Sequence, residues 1–312
     1  MLSFTRRALL KVLLLVIGAL LLATFIYAHQ TKCSIESRLE LIEGYKCSDQ
    51  RRIGDISLIS RGSYPDKHFQ NDTHGRVDLL WFVCMDKDVA PKRGDCLVIS
   101  YGVSSCDYCA TFDEQMNYVY GCEVHSLDPY SMPGFMQIAF KHRDRLTAAE
   151  IRPKWFAHRL GYGKEHSDHS PRIGELINFS NFLKYVKLQN RIIDVIKMDI
   201  EGGEIDFMET VNIDFLCSNV KQFLFEAHNL EFDQEKSSII TNRYYKALLR
   251  LHKCFRIFHR DTRFFVEQSQ YSDFQNPDLK IHLGRFNTGT DLLRFVVSFG
   301  EIYMLNINFL IE

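Results

Sequence analysis

Two apolar segments of the sequence end in carboxylates. The run DVIKMD ends at Asp199 and carries Lys197 two residues earlier, and Glu201 and two glycines follow it. The run CEVHSLD ends at Asp128. A carboxylate at such a point can accept hydrogen bonds from ligand hydroxyls, and Lys197 would share a strand face with Asp199 as a charge pair. Each aspartate could instead cap a following helix.

Two further residues occupy similar positions. Gly102 follows the run CLVISY, where the absence of a side chain would let the backbone approach a ligand closely. His228 closes the run KQFLFEAH and could act as general base for a substrate hydroxyl. It could equally hold the end of that strand against Asp199.

The elements that would position these residues alternate between strand and helix patterns. Parallel strands are predicted at Cys96–Ser100, Val124–Leu127, Val195–Asp199 and Gln222–Phe225, with weaker strand candidates around Ile138 and Phe156. Helices are predicted in IGELINFSNFLKYVKL, GEIDFMETV and NRYYKALLRLHK, and a hairpin turning at Gly300 would add an antiparallel strand near Ile302–Asn306. This alternation predicts an α/β fold with a mostly parallel sheet and helices on both faces.

In open sheets of this kind, ligands bind beyond the carboxyl ends of the strands, where the strand order reverses. We therefore expect Gly102, Asp128, Asp199 and the segment 226–228 along one edge of the sheet. Composition adds an exclusion: with 38 basic and 39 acidic residues and a net charge of −1, nothing indicates a nucleic-acid partner.

The N-terminus predicts a membrane anchor. Arg6, Arg7 and Lys11 precede an uncharged apolar run over residues 12–28, which is longer than the core of most signal peptides, although a cleaved signal peptide is the alternative. The positive-inside rule then gives a type II protein of the secretory pathway, in the Golgi or endoplasmic reticulum, with a lumenal domain. The predicted organisation is a cytosolic segment 1–11, a transmembrane signal anchor 12–28, a stem 29–75 and a folded domain 76–312.

Sequons and cysteines fit that compartment. Asn71 and Asn178 each begin a glycosylation sequon, and the nine cysteines suit oxidising conditions. Cys106 and Cys109 have the spacing of half a zinc site, but no second pair at metal spacing follows. A disulfide or two ordinary thiols are the better interpretation, and we predict no metal site.

The segments CLVISYGVSSCDYCATFDEQMNYVYGCEVHSLDP, IDVIKMDIEGGEIDFM and FLFEAHN together carry a family resemblance. They resemble the FkbM-type S-adenosylmethionine-dependent methyltransferases, and within them the membrane-anchored methyltransferase-like protein 24 group. The resemblance covers roughly residues 76 to 306. It implies a class I methyltransferase fold, Rossmann-like, with a seven-stranded sheet whose last strand is antiparallel.

The resemblance also implies roles for individual residues. The loop at Gly102 would pass under S-adenosyl-L-methionine, and Asp128 would accept bonds from its ribose hydroxyls. As a separate hypothesis, His158, which follows the strand candidate at Phe156, would flank the adenine of the cofactor. Asp199, with Glu201 beside it, would lie near the methionine part and the methyl group. We expect Asp199, His228 and Lys197 to carry catalysis.

The implied reaction is methyl transfer to an oxygen of an acceptor, which could be a small molecule, a glycan or a protein. Two alternatives stay open. Asp86-Lys87-Asp88 has the Asp-x-Asp form of a metal-dependent lumenal glycosyltransferase. The two cysteines in the loop after Gly102 are unusual for a cofactor loop, which leaves room for a catalytically silent module.

Overall fold

The computed structural model describes residues 45–54, 81–105, 109–141, 146–165, 169–228, 234–261 and 299–310. The predicted anchor at 12–28, most of the stem and Asn71 lie outside these residues. No helix within the described part of the chain is both long enough and apolar enough to cross a bilayer.

Twelve strands lie in the described residues: β1 Gln50–Ile53, β2 Trp81–Cys84, β3 Leu97–Tyr101, β4 Glu123–Leu127, β5 Ala148–Arg152, β6 Trp155–His158, β7 Leu160–Tyr162, β8 Glu175–Ile177, β9 Ile193–Met198, β10 Val220–His228, β11 Phe255–Asp261 and β12 Phe299–Asn306. The helices of the same residues are α1 Thr111–Tyr118, α2 Gly134–Phe140, α3 Phe179–Tyr185, α4 Gly203–Thr210, α5 Ile213–Asn219 and α6 Gln234–Leu251, with a 3₁₀ turn at Ile307–Phe309.

The central sheet has eight strands in the order β11-β12-β10-β9-β3-β4-β6-β5. The five strands from β10 to β6 run parallel to one another, while β12 is antiparallel to both of its neighbours. This confirms the four predicted parallel strands and the antiparallel strand near Ile302–Asn306. The order reverses at β3, because the chain moves from β3 to β4 on one side and places β9 and β10 on the other.

Three details of the prediction are wrong. The sheet has an eighth strand, since β5 pairs antiparallel with β6 at the edge. Gly300 lies inside β12 opposite Ala227 and does not form a hairpin turn. The segment around Ile138 is helix α2, which buries Met136 and Phe140 one helical turn apart while Ile138 is 68% exposed.

The predicted helix over IGELINFSNFLKYVKL is also shorter than expected. Gly174 adopts a positive φ of 77°, and the next residues pair as β8 with β7 in a small parallel sheet. Asn178 then caps α3 by accepting a hydrogen bond from the Asn181 backbone N–H at 2.9 Å.

Apolar cores lie on both faces of the central sheet, as the alternating strand pattern requires. Leu97, Ile99 and Tyr101 of β3 pack in the core that includes α3, α4, α5 and α6, whereas Val98 packs in the core that includes α1, α2 and β2. Because both faces are covered, polar side chains reach a ligand only at the strand ends.

A buried amide helps to attach the pair β1–β2 to the central sheet. The side chain of Gln222 in β10 exchanges two hydrogen bonds with the backbone of Cys84, each 2.9 Å long, and donates a third to the Val89 carbonyl at 3.0 Å. A disulfide between Cys47 and Cys84 reinforces the same region.

Candidate functional site

A cavity of about 800 Å³ opens at the carboxyl ends of β3, β4 and β9, where the strand order reverses. Four of the residues predicted to bind the cofactor line it, namely Gly102, Asp128, Asp199 and Glu201. They come from three strand ends that are distant in the sequence. The fold therefore brings the predicted binding residues together at one site.

Position 102 requires a glycine, because its backbone lies very close to the end of β9. It has a φ of +79°, and a Cβ at this position would lie 1.6 Å from the Asp199 carbonyl oxygen. Its backbone N–H donates to the Leu127 carbonyl at 2.9 Å, and its own carbonyl accepts from Lys197 Nζ at 2.7 Å. The loop after β3 is thus joined to both neighbouring strands.

Lys197 is buried beneath this loop and does not line the cavity as the described residues define it. Its ammonium lies 4.9 Å from the centre of the Trp81 ring and 3.9 Å from Asp199 Oδ2. The predicted charge pair is therefore present, but the hydrogen bond of Lys197 goes to Gly102. This geometry makes Lys197 a positioning residue for the loop.

The carboxylate of Asp128 organises the loop that follows β4. It accepts three backbone hydrogen bonds, from Ser104 at 3.0 Å, Tyr130 at 3.0 Å and Ser131 at 2.8 Å. A carboxylate offers about four lone-pair positions, so one acceptor position remains for a ligand hydroxyl. Asp128 is 8% exposed, which makes any such bond a desolvated one.

The segment EGGE forms a tight turn between β9 and α4. Glu201 and Gly202 both have a positive φ, 56° and 101°, and Glu204 closes the turn by accepting hydrogen bonds from the backbone N–H groups of Ile200 and Gly202 at 2.7 and 2.9 Å. A non-glycine residue in this conformation costs free energy, and such strain concentrates at functional sites. The turn leaves Glu201 exposed at the cavity.

His228 lies at the end of β10 and contacts several carboxylates. Its Nδ1 is hydrogen-bonded to buried Glu204 Oε1 at 3.1 Å, and its Nε2 lies 3.8 Å from Asp199 Oδ1. Burial lowers the pKa of His228, but the hydrogen bond and charge of Glu204, with the charges of Glu226 and Asp199, outweigh that effect and raise the pKa to about 9. The ring is therefore charged at neutral pH when no other cation is bound.

His158 is buried and lies outside the lining of the cavity formed by the described residues. Its Nε2 is 2.9 Å from Nδ1 of His125, whose other nitrogen is 3.0 Å from Glu123. Burial and the neighbouring His125 lower the pKa of His158 well below its ordinary value. These contacts describe a neutral core histidine, so the adenine-flanking role stays a prediction without support from the geometry.

The sequence analysis missed the wall of the cavity that the β7–β8 sheet and α4 form. Gly161 of β7 leaves room for Pro129 and Leu176, since a Cβ there would lie 2.8 Å and 2.6 Å from their side chains. Lys164 binds Asp206 at 2.7 Å across the rim. Neither Gly161 nor Lys164 lies in a recognisable motif, so only the tertiary packing reveals them.

The sequence analysis also missed Tyr130, although its position directly after Asp128-Pro129 places it in the predicted binding loop. Its side chain is 82% exposed and lines the cavity directly after Asp128-Pro129. A large exposed aromatic ring beside a binding carboxylate provides a surface on which a planar ligand group can stack.

Other predicted residues are engaged elsewhere. Asp86 accepts hydrogen bonds from Ser48 and Asp49 backbone N–H groups at 3.0–3.1 Å and from the Tyr45 hydroxyl at 2.8 Å, so it anchors the N-terminal segment. Asn178 uses its side-chain N–H₂ to donate to the Glu165 carbonyl at 3.1 Å. Cys109 is disulfide-bonded, so it is not a zinc thiolate.

A family model described as a methyltransferase domain matches residues 66–275 of this sequence, more than half of the chain. The chain belongs to this methyltransferase-domain family. Two relatives named probable methyltransferase-like protein 24 support the assignment: the human protein is 27% identical and the rat protein 26% identical over 224 residues. The match covers 67% of this chain and 53% of each relative, so the chain spans about half the length of these relatives.

The matches to solved structures are more distant. The fibrillarin pre-rRNA processing protein of Methanococcus jannaschii is 12% identical with a TM-score of 0.34, over 69% of this chain and 68% of that one. Phosphoethanolamine N-methyltransferase 2 of Haemonchus contortus, solved with S-adenosyl-L-methionine, is 9% identical with a TM-score of 0.31, over 70% and 50% of the two chains. The methyltransferase resemblance seen in the sequence is confirmed by the family match, while its FkbM subtype stays a prediction.

Proposed function

We propose that this methyltransferase domain binds S-adenosyl-L-methionine in the cavity at the strand ends and transfers its methyl group to an oxygen of an acceptor. The observation that carries the proposal is the convergence of Gly102, Asp128, Asp199 and Glu201 on one cavity at the reversal of strand order. A volume of about 800 Å³ lies within the range of cofactor pockets.

The residues present fit that cofactor. Gly102 leaves room for close backbone approach, and the remaining acceptor position of Asp128 suits a ribose hydroxyl. Tyr130 offers an aromatic surface beside Asp128. When bound, the cofactor supplies an electrophilic methyl on a positively charged sulfur.

The chain's own residues would then align the acceptor and handle its proton. Asp199 is one-third exposed at the cavity wall, so its carboxylate can accept a hydrogen bond from the acceptor hydroxyl. His228 Nε2 lies 3.8 Å from Asp199 Oδ1 and would help to hold this carboxylate in place, and its raised pKa argues against a role as the first base. Catalysis of this kind depends mainly on alignment, and Lys197 contributes by holding the Gly102 loop.

The test is calorimetric titration of S-adenosyl-L-methionine into the purified domain, with Asp128→Ala as the variant and Asp214→Asn as the matched control. Asp214 lies on α5, at the opposite end of β10 from the cavity. Its side chain is exposed and forms an ion pair with Lys253. Loss of a charge-assisted bond worth about 1.5–3 kcal/mol should weaken binding roughly tenfold or more.

The control should bind S-adenosyl-L-methionine like the wild type. Equal affinity in Asp128→Ala would reject the ribose role of Asp128. If the folded wild-type domain does not bind S-adenosyl-L-methionine at all, the proposed function itself is wrong, and the silent-module alternative replaces it.

We further propose that the domain resides in the lumen of the secretory pathway on the anchor predicted at 12–28. The supporting observation is its three described disulfides, Cys47–Cys84, Cys96–Cys122 and Cys217–Cys254, because such bonds persist in oxidising compartments. The expected result is a glycosidase-sensitive gel shift of the full chain that Asn71→Gln abolishes. An identical mobility of wild type and variant, with and without glycosidase, would contradict glycosylation at Asn71.

A further inference from the structure

Three potential metal ligands meet beside the cavity. Asp199, Glu226 and His228 each offer one ligand atom, and these atoms lie within 4.8 Å of one another. His228 Nε2 is 3.8 Å from Asp199 Oδ1 and 3.9 Å from Glu226 Oε1. Two atoms bound to one divalent ion at about 2.1 Å would be roughly 3.0–3.6 Å apart, so small side-chain movements would close the site.

The two carboxylates are more exposed than the histidine. Those of Asp199 and Glu226 are 31% and 25% exposed, whereas that of His228 is 5% exposed. The histidine would therefore be the fixed ligand, its Nε2 proton passing to solvent as the ion binds, and the two carboxylates would adjust to the ion. The three groups are neighbours because β10 continues past the end of β9, which stops one residue before Asp199.

The orientation of the His228 ring is an independent sign of a cation site. Its Nδ1 is bonded to Glu204, which is fully buried and is itself held by two backbone N–H groups. That bond turns Nε2 toward Asp199 and Glu226. Metal-binding histidines typically give their second nitrogen to a carboxylate in this manner, because it fixes the ring and raises its basicity as a ligand.

Three carboxylates surround His228 Nε2. Oxygens of Asp199, Glu201 and Glu226 lie 3.6 to 3.9 Å from this nitrogen. An ion placed between these groups would contact the nitrogen and two carboxylate oxygens at once. Lys197 faces the other oxygen, Oδ2, of Asp199.

We propose that Asp199, Glu226 and His228 bind a divalent first-row transition-metal ion beside the cavity. One nitrogen and two carboxylate oxygens suit Mn²⁺, Fe²⁺ or Zn²⁺ better than Ca²⁺, which takes oxygen ligands alone. The site was not expected from the sequence, where Asp199 and the pair in β10 are 27 and 29 positions apart with no metal spacing.

The catalytic role of the ion rests on the proposed methyl transfer. Bound to the acceptor hydroxyl, the ion would lower the pKa of that hydroxyl so that its proton passes to solvent. The oxygen lone pair would then form the new C–O bond, while the electrons of the breaking C–S bond stay on sulfur. The acceptor class is therefore a compound with a metal-binding hydroxyl.

The test is titration of the purified domain with Mn²⁺, following the electron paramagnetic resonance signal of the free ion. We expect one ion per chain in the wild type. Asp199→Asn and Glu226→Gln should each weaken binding at least tenfold, and Glu204→Gln should weaken it by about 10–100-fold through the orientation of His228. Asp214→Asn, remote from the site, should bind like the wild type.

Asp199 and Glu226 are partly exposed, so their variants keep the test informative if Glu204→Gln does not fold. A folded wild-type domain that leaves the Mn²⁺ signal unchanged would overturn the proposal, as would unchanged affinity in both Asp199→Asn and Glu226→Gln. Calorimetry with S-adenosyl-L-methionine on the same samples tests the metal site and the proposed methyl transfer separately. Cofactor binding without Mn²⁺ binding rejects the ion alone, and Mn²⁺ binding without cofactor binding rejects the methyl transfer alone.

Discussion

At the scale of single residues, several charged groups at the site form hydrogen bonds that hold the backbone in place. Lys197 donates to the Gly102 carbonyl, and Asp128 accepts three backbone N–H groups. Glu204 holds the turn before α4 and the ring of His228. Pre-organisation of this kind fixes the loops before a ligand binds, which reduces the entropy lost on binding.

His158 gives a prediction for the pH dependence of stability. Its pKa is lowered in the folded domain, because a charged ring would be buried and its Nδ1 has no hydrogen-bond partner among the described residues. The unfolded chain takes up a proton near pH 6.5, so the stability contributed by neutral His158 is present above that pH and is lost as the pH falls below it. The loss approaches about 1.4 kcal/mol per pH unit.

We expect His158→Gln to lose less stability than the wild type between pH 7 and pH 5 in denaturant titrations. The titratable groups in contact with His158 among the described residues are His125 and Tyr185, and both are retained in the variant. His228, whose raised pKa has the opposite sign of effect, also contributes equally to both proteins. Parallel stability curves for the two proteins would show that His158 does not titrate in this way.

At the scale of elements, the lengths of neighbouring strands decide where the site lies. β9 ends at Met198, opposite Phe225, but β10 continues to His228 because β12 pairs with it on the other side. Glu226 and His228 therefore extend beyond β9 and reach Asp199. The run KQFLFEAH predicts a strand that reaches His228, as observed, but the sequence does not reveal which neighbour satisfies its last backbone groups.

At the scale of the whole molecule, disulfides join segments that are far apart in the sequence. Cys217–Cys254 links α5 to the start of β11, and both cysteines are buried. Closing a loop with a sequence separation of 37 residues restricts the unfolded chain and contributes about 4 kcal/mol in the chain-entropy model.

We therefore expect the double variant Cys217→Ala/Cys254→Ala to lose about 3–4 kcal/mol of unfolding free energy, measured by denaturant titration without reductant. Treating the wild-type domain with reductant should lower its stability by more, because the other bonds open as well. A transition midpoint equal to that of the oxidised wild type would show that this bond does not stabilise the domain.

The sequence alone determined the class of the fold and much of the cavity. Apolar periodicity depends on which residues must be buried, so it located β3, β4, β9 and β10, and the reversal rule then placed Gly102, Asp128 and Asp199 at one edge. Periodicity failed at Ile138, because a short apolar run fits a helix and a strand equally well. The predicted turn at Gly300 was wrong because strand pairing overrides the turn preference of glycine.

Only the tertiary structure decided which partner each polar group takes. Lys197 could have paired with Asp199 alone, yet the approach of the Gly102 loop supplies a nearer acceptor. His158 could have faced a ligand, but the packing of β6 against β4 buries it beside His125. Asp199, Glu226 and His228 meet because two strands of unequal length lie side by side, and contacts between distant segments leave no periodic signal in the sequence.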